Sequence, residues 1–478
     1  MTEAVLTAET GWIILGAFSV AWIALGWFWG RRHRTFDGHV LAGRNVGLAL
    51  ATATAMATWV TSNTTMTAPQ LAYQLGIWGM VGYSLGAVGL MMFAPIAERV
   101  KRLMPNGYTS GDFVRTRYGR LGWLVFLLIS LFYGLGWLVS MGMAGGVLLK
   151  ALTGIPYHVG MLTITLVCVG YTLLGGLSAV IGTDFIQSVI ILVGLVVVGV
   201  AAFTHLPAAE VHSHLAENRP ELLNLLMPAS IMFLFNNLLF GVGEIFHSNV
   251  WWSRAFAFRK GKGFKAFFTA GLLWLPVPVA AGAIALAAPG LGINVPALDM
   301  VGPLVVGRLL GTAGAVTILI VVFCSLASSL DSLLAATSDL LVEDVYRTLW
   351  RPNASGRELR WAARVIVLVL GALAIVLCWG RLTTLAEMIH FTGAFVASTI
   401  WPIAAGLYWS KTNRYAAILG MILGSAAGLY AYFTIGFFTA ALVGAIVSML
   451  CVVAGTLLFP QPFEWSRLGE LRRPEEEA

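Results

Sequence analysis

The chain alternates long apolar runs with short polar breaks. The runs fall at about 11–30, 46–68, 76–97, 121–149, 155–175, 183–203 and 226–253, then at about 266–288, 304–342, 361–380, 384–409, 414–432 and 437–459. Most match or exceed the roughly 20 residues a helix needs to cross a bilayer. The pattern predicts an all-α polytopic membrane protein of about 13 transmembrane helices, with its two termini on opposite sides.

Two runs are too polar to face lipid. The second reads LALATATAMATWVTSNTTMTAPQLAYQLG, with Thr52, Thr54, Thr58, Thr61, Ser62, Asn63, Thr64, Thr65 and Thr67 ahead of Pro69. One reading is a buried packing helix whose hydroxyls bond back to their own carbonyls. The other is a discontinuous helix, whose unwound carbonyls and hydroxyls line a cavity at mid-membrane. The seventh run, LMPASIMFLFNNLLFGVGEIFHSNVWW, is similar in kind, with Asn236, Asn237, Gly241, Gly243, Glu244 and His247 in apolar company. These runs open two sets of five helices, 46–203 and 226–409. Because five is odd, the second set starts from the opposite side, the layout of a 5+5 inverted repeat with discontinuous first helices. The rest divides into an extra helix and loop at 1–45, an outer loop at 204–225, and two helices with a tail at 410–478. The three histidines of the outer loop lack a convincing metal-ligand spacing.

Composition supports this reading. Of 478 residues 58% are hydrophobic and 11% charged, against about 25% charged in soluble domains. A soluble fold is excluded, and the spans leave no room for an appended catalytic domain, so no enzyme is expected. The net charge of +7 concerns the membrane rather than nucleic acid. Of the 29 Lys and Arg, 25 fall on alternate loops, among them Arg31, Arg32, Arg34, Arg254, Arg259, Arg472 and Arg473. The opposite side keeps only Lys150, Arg219, Arg308 and Arg381. The positive-inside rule then sets the N-terminus outside and the C-terminus cytoplasmic in a cell inner or plasma membrane. The first ten residues hold Glu3 and Glu9 and no basic leader, so the first run is expected to remain as a helix. All four cysteines lie inside apolar runs, and no metal or redox motif is present.

Candidate chemistry sits in two further runs. The ninth contains FCSLASSLDSLLAATSDLLVEDVYR. Its Ser325, Ser328, Ser329 and Ser332 share one helix face. Such hard, nearly neutral oxygens suit a monovalent cation held weakly enough to leave. The sixth run opens with GGLSAVIGTDFIQ and carries Asp184, either a functional membrane carboxylate or a helix cap.

Three segments, GGLSAVIGTDFIQ at 175–187, SSLDSLLAATSDLLVEDVYR at 328–347 and RLMPNGYTSGDFVRTRYG at 102–119, resemble the sodium:solute symporter family, a family with the broken-helix inverted-repeat fold. The resemblance implies Na+ as the coupling ion. It places the main sodium site at backbone oxygens of Ala57 and Val60, the Ser325 carbonyl, and the hydroxyls of Ser328 and Ser329. It implies a second cation position at Asp184 and Ser332, where Asp331 replaces an expected hydroxyl. That departure leaves open a tighter second sodium, a proton, or an outward-facing structural carboxylate. The N-terminal half looks more like the urea-permease branch, and Trp59 stands where the proline carriers have an acidic residue.

Candidate solute contacts are Trp59, Thr61, Ser62, Asn63, Trp137, Asn236, Asn237 and Glu244, with Glu244 favouring a cationic or amide-bearing solute. The expected function is sodium-coupled symport of a small polar organic solute, with that solute and the lipid bilayer as partners and the oligomeric state open. Within the carrier class, proton coupling through Asp184, Asp331 or Glu244 is the alternative. A membrane sensor or passive channel of the same fold are others; the lack of a domain after residue 460 weighs against the sensor.

Overall fold

The computed structural model describes residues 4–30, 36–381 and 383–470, and these are dominated by helices. Arg31, Arg32, Arg34, Arg472, Arg473 and the terminal RRPEEEA lie outside the described residues. Eleven helical stretches are long and apolar enough to cross a membrane, and two shorter apolar helices cover Leu48–Trp59 and Tyr157–Leu173. Each falls on one of the apolar runs.

In chain order the first helices are α1 Ala8–Gly30, α2 Phe36–Leu41, α3 Leu48–Trp59, α4 Ser62–Leu75, α5 Ile77–Ser84, α6 Gly86–Leu103, α7 Ser110–Thr153 and α8 Tyr157–His205. There follow α9 Ala208–Asn218, α10 Pro228–His247, α11 Asn249–Ala257, α12 Gly263–Trp274, α13 Pro276–Ala285 and α14 Val301–Leu340. The last are α15 Gly356–Cys378, α16 Leu385–Ala397, α17 Ile400–Tyr408, α18 Arg414–Thr434 and α19 Ala440–Leu458.

Both polar runs are broken. After α3 the chain leaves helical geometry at Val60 (φ −80°, ψ 80°) and Thr61 (φ −83°, ψ 168°). The helix restarts because Thr61 and Thr64 form a reciprocal capping box, the Thr61 hydroxyl accepting from the Thr64 N–H at 3.1 Å. In the seventh run the break is at Ser248, whose extended backbone ends α10 and whose hydroxyl caps α11. The two broken helices are interrupted by their own hydroxyl residues, which supply the hydrogen bonds that lipid cannot.

Other long runs depart from the expected boundaries. α14 is divided at Gly311 (φ +62°), so the ninth run is a short helical segment followed by the spanning helix, which widens into a π-helical stretch over Leu341–Trp350. α7 is divided at Gly119 (φ +75°), just before the expected start of its span. Part of the 204–225 segment, expected as a loop, forms α9. The fifth and sixth runs join in α8 without an assigned gap. Yet both ends of α8 lie on the face where α1 begins, since the Leu6 N–H donates to the Leu152 carbonyl at 2.9 Å and Val5 lies against Gly307. The Tyr157 hydroxyl donates to the Cys378 carbonyl at 2.9 Å, beside the Arg381–Asp299 ion pair, and His205 lines one cavity with Leu309 and Gly311. Between them, Thr172 neighbours Ser338 deep in the molecule. The chain therefore turns back between Thr172 and Asp184.

Small residues bring the helices close. A methyl group on Gly241 of α10 would come within 2.6 Å of the Gly86 Cα, and one on Gly89 within 2.4 Å of the Gly241 carbonyl oxygen. Dispersion between backbones holds this contact, since lipid offers no hydrophobic drive between helices. The second half of α8 instead exposes Val189, Val193, Val196, Val197 and Val200, a valine-rich face suited to acyl chains. Polar residues follow the opposite rule: Thr54, Thr58, Thr61, Ser62, Asn63, Thr64, Thr65 and Thr67 are all buried.

Candidate functional site

Below the first break, α3, α8, α11 and α14 converge on buried oxygens. Asp184, from the returning half of α8, accepts from the Thr54 hydroxyl at 2.5 Å, from the Thr58 hydroxyl at 3.3 Å and from the Ser328 hydroxyl. Its charge is met by Arg254 of α11 at 3.3 Å, and both side chains are wholly inaccessible to solvent. Arg254 also donates through Nη2 to Thr58 Oγ1 (2.6 Å) and Ser332 Oγ (2.8 Å), through Nε to Thr54 Oγ1 (3.1 Å), and through Nη1 to the Val250 carbonyl (3.1 Å). This corrects the reading of Arg254 as a loop residue. It lies inside the protein, in the second half of a broken helix.

The serine face of α14 meets the same region. Ser329 Oγ lies 3.1 Å from the Thr58 carbonyl and 2.9 Å from the Ser325 carbonyl. Ser325 Oγ donates within its own helix and lies 3.3 Å from Thr65 Oγ1. Ser332 Oγ donates to the Ser328 carbonyl at 2.7 Å. A hydroxyl that ligates a cation uses an oxygen lone pair and must place its proton elsewhere. Ser328 places its proton on Asp184, and Ser329 places its own on backbone carbonyls. Ala57 and Val60, at the end of α3, are fully buried and flank Thr58, whose carbonyl accepts from Ser329. The hydroxyl oxygens of Ser328 and Ser329 therefore keep lone pairs of the hard kind that suits a sodium ion. Asp331 is also fully buried, but neither of its carboxylate oxygens has a hydrogen-bond partner among the described residues.

On the other side of the break, Trp59, Thr61, Thr64, Tyr83, Gly86, Trp137, Asn237, Phe240 and Trp274 line a small cavity. Trp59 and Trp137 stack with centroids 6.1 Å apart, and Trp274 tilts against Trp59 at 5.6 Å. Trp274 Nε1 donates to the Trp59 carbonyl at 2.6 Å, satisfying one group freed by the break. The indole N–H groups of Trp59 and Trp137, the Ser62 hydroxyl and the Asn63 amide nitrogen have no partner among the described residues. Asn63 Oδ1 accepts from Ser140 at 2.9 Å.

The structure separates the remaining solute candidates. Asn237 lines the cavity and is fixed by the Gly82 carbonyl (2.8 Å), the Tyr83 carbonyl (3.1 Å) and His390 (3.2 Å). Asn236 turns away, its oxygen accepting from the Ala441 and Leu442 N–H groups at the start of α19. Glu244 is not in the cavity wall. Its carboxylate accepts from the Tyr133 hydroxyl and from Trp251 Nε1 (3.1 Å), and Trp251 packs edge-on against Trp59 at 5.5 Å. Sequence reasoning missed Tyr83, Gly86, Phe240 and Trp274, which read as ordinary span residues. It also missed the Arg254–Asp184 pair.

Broken helices whose hydroxyls and carbonyls meet at mid-span are the layout of a membrane carrier. The chain belongs to the sodium:solute symporter family, whose profile matches residues 39–424. It is a multi-pass secondary active symporter. Among similar proteins, the urea-proton symporter DUR3 of Oryza sativa subsp. japonica is 28% identical over 98% of this chain and 73% of its own length. The osmoregulated proline transporter OpuE of Bacillus subtilis (strain 168) is 28% identical over 92% of this chain and 94% of its own length. A solved structure of a Na+-coupled sialic acid symporter in a substrate-bound outward-open state shares the fold. It has a TM-score of 0.79 at 18% identity and covers 95% of this chain and 99% of that one.

Proposed function

We propose that the protein couples inward sodium movement to the uptake of a small polar solute bearing an amide or similar carbonyl group. The observation that carries the sodium assignment is where the hydroxyl protons go. Ser328 and Ser329 have both placed their protons on protein acceptors, which leaves lone pairs for a cation between α14 and the carbonyls of Ala57 and Val60. Na+ bound there joins α14 to the broken helix, so ion binding favours one arrangement of the carrier and solute binding then permits closure.

The solute reading rests on the cavity. Its aromatic planes suit a flat molecule, and the unpartnered N–H groups of Trp59 and Trp137 call for acceptor oxygens rather than for a cation. Amide-bearing solutes, urea among them, combine both properties. The rice relative named as a urea-proton symporter is in keeping with this class. The five-helix sets 46–203 and 226–409 act as the two halves of an inverted repeat, with the N-terminus outside and the C-terminus cytoplasmic.

The driving force is adequate. A potential of about 100 mV contributes about 2.3 kcal/mol per charge, and a tenfold sodium gradient adds about 1.4 kcal/mol. One sodium per solute then supports roughly 500-fold accumulation. A proton-coupled carrier is the second reading, favoured by Glu244, a buried carboxylate with hydrogen bonds but no basic partner among the described residues. Replacing sodium by choline at constant pH decides between them. Sodium coupling predicts that accumulation stops; accumulation that continues and follows the pH gradient assigns the coupling to protons.

A further inference from the structure

The second-cation position suggested by Asp184 and Ser332 is filled from within. The Arg254 guanidinium, fully buried, touches Asp184 Oδ2, Ser332 Oγ, Thr54 Oγ1 and Thr58 Oγ1 at 2.6 to 3.3 Å. These are the hard oxygens that a second sodium would need. A guanidinium is permanently charged and presents five donors in a fixed plane, so it satisfies several of these acceptors at once and fills by its own volume the place between them.

We propose that Arg254 is a resident cation that replaces a second coupling sodium, which limits the protein to one ion per solute. The inference rests on the sodium reading of the Ser328 and Ser329 site. It has a structural corollary. Arg254 lies in the second half of one broken helix, and its acceptors lie on the first half of the other, on α8 and on α14. One tethered charge therefore holds together four elements that a mobile ion would join only while bound. Asp184 has a double duty: it neutralises Arg254 and takes the Ser328 proton, so the resident cation also orients a hydroxyl of the transported ion's site.

The test is a count of radioactive sodium bound per purified chain at saturation, with no solute present. Wild type is expected to bind one ion. Arg254→Ala, which empties the cradle but leaves Asp184, is expected to bind two, and the second is expected to vanish in Arg254→Ala/Asp184→Asn. Two ions bound by wild type, or a count still at one in folded Arg254→Ala, would overturn the inference and leave the sodium reading intact. No ion bound by wild type overturns the sodium reading and this inference with it. Should Arg254→Ala fail to fold, Arg254→Lys decides, because it keeps the charge: a count of one supports the resident cation, and a count of two refutes it.

Discussion

Two polar regions flank the break between α3 and α4, and they differ in how their hydrogen bonds are placed. Below the break, Thr54, Thr58, Asp184, Arg254, Ser328, Ser329 and Ser332 all find partners within the protein. Above it, Trp59, Ser62, Asn63 and Trp137 each keep a polar atom with no partner among the described residues. A buried donor without an acceptor costs about 1 to 3 kcal/mol, so such groups persist where a ligand or water meets them. The difference separates a region whose polar groups are met from within the protein from one whose donors are left over. The lower region is an internally paired joint, whereas the upper one keeps buried donors that, in the function proposed above, a solute would meet. Asp331, beside the paired region, breaks the pattern: its carboxylate oxygens have no hydrogen-bond partner among the described residues.

The largest way to break this comparison is to unbalance the joint. Asp184→Ala or Arg254→Ala leaves one buried charge alone and should cost about 3 to 5 kcal/mol of stability in sodium-free buffer. A double variant, Asp184→Leu/Arg254→Met, should recover most of that loss in thermal unfolding while failing to transport. If the single variants unfold at the wild-type temperature, the pair is not the joint described.

A smaller effect should follow at the ion. Ser329→Ala removes a hydroxyl ligand worth about 2 kcal/mol toward a charge, roughly a 30-fold weaker sodium activation. Solute selectivity should stay as it is. Sodium activation within twofold of wild type would remove Ser329 from the site.

The solute side should respond in the opposite sense. Trp59→Phe and Trp137→Phe keep an aromatic plane but delete an N–H, and each should raise the solute KM by about fivefold, the equivalent of about 1 kcal/mol, with unchanged sodium activation. Equal changes in both parameters would merge the two regions into one. Glu244→Gln should act most weakly. It keeps the contacts to Tyr133 and Trp251 and reaches the cavity only through the Trp251–Trp59 packing, so a shift of about two- to threefold in solute KM is expected. A wild-type KM would make Glu244 a packing residue only.

Much of this was legible in the chain, for definable reasons. The run from Thr52 to Thr67 is too rich in hydroxyls for lipid, so its break and burial follow from solvation alone. The serine face of α14 follows from helical periodicity. Arg254 was misplaced because it precedes the basic stretch at 259–265, and counting charges near a span end assigns such a residue to the loop. Its partner lies 70 positions away, and only tertiary structure reveals it. Adjacent amides pose a related difficulty. Asn236 and Asn237 are about 100° apart on α10, and the sequence does not say which one faces the cavity. The cavity walls from Tyr83, Phe240 and Trp274 carry no polar signal at all. The turn within α8 is marked only by the length of the apolar stretch, since no polar loop interrupts it.

The central claim, that sodium entry drives accumulation of an amide-bearing solute, is tested most directly by uptake into proteoliposomes. Labelled urea, acetamide, proline, glucose, pyruvate and choline would each be offered with an inward sodium gradient and with sodium replaced by potassium. The account predicts accumulation of an amide-bearing member above its outside concentration with sodium alone. Entry of that solute at the same rate and to the same level in potassium would contradict it.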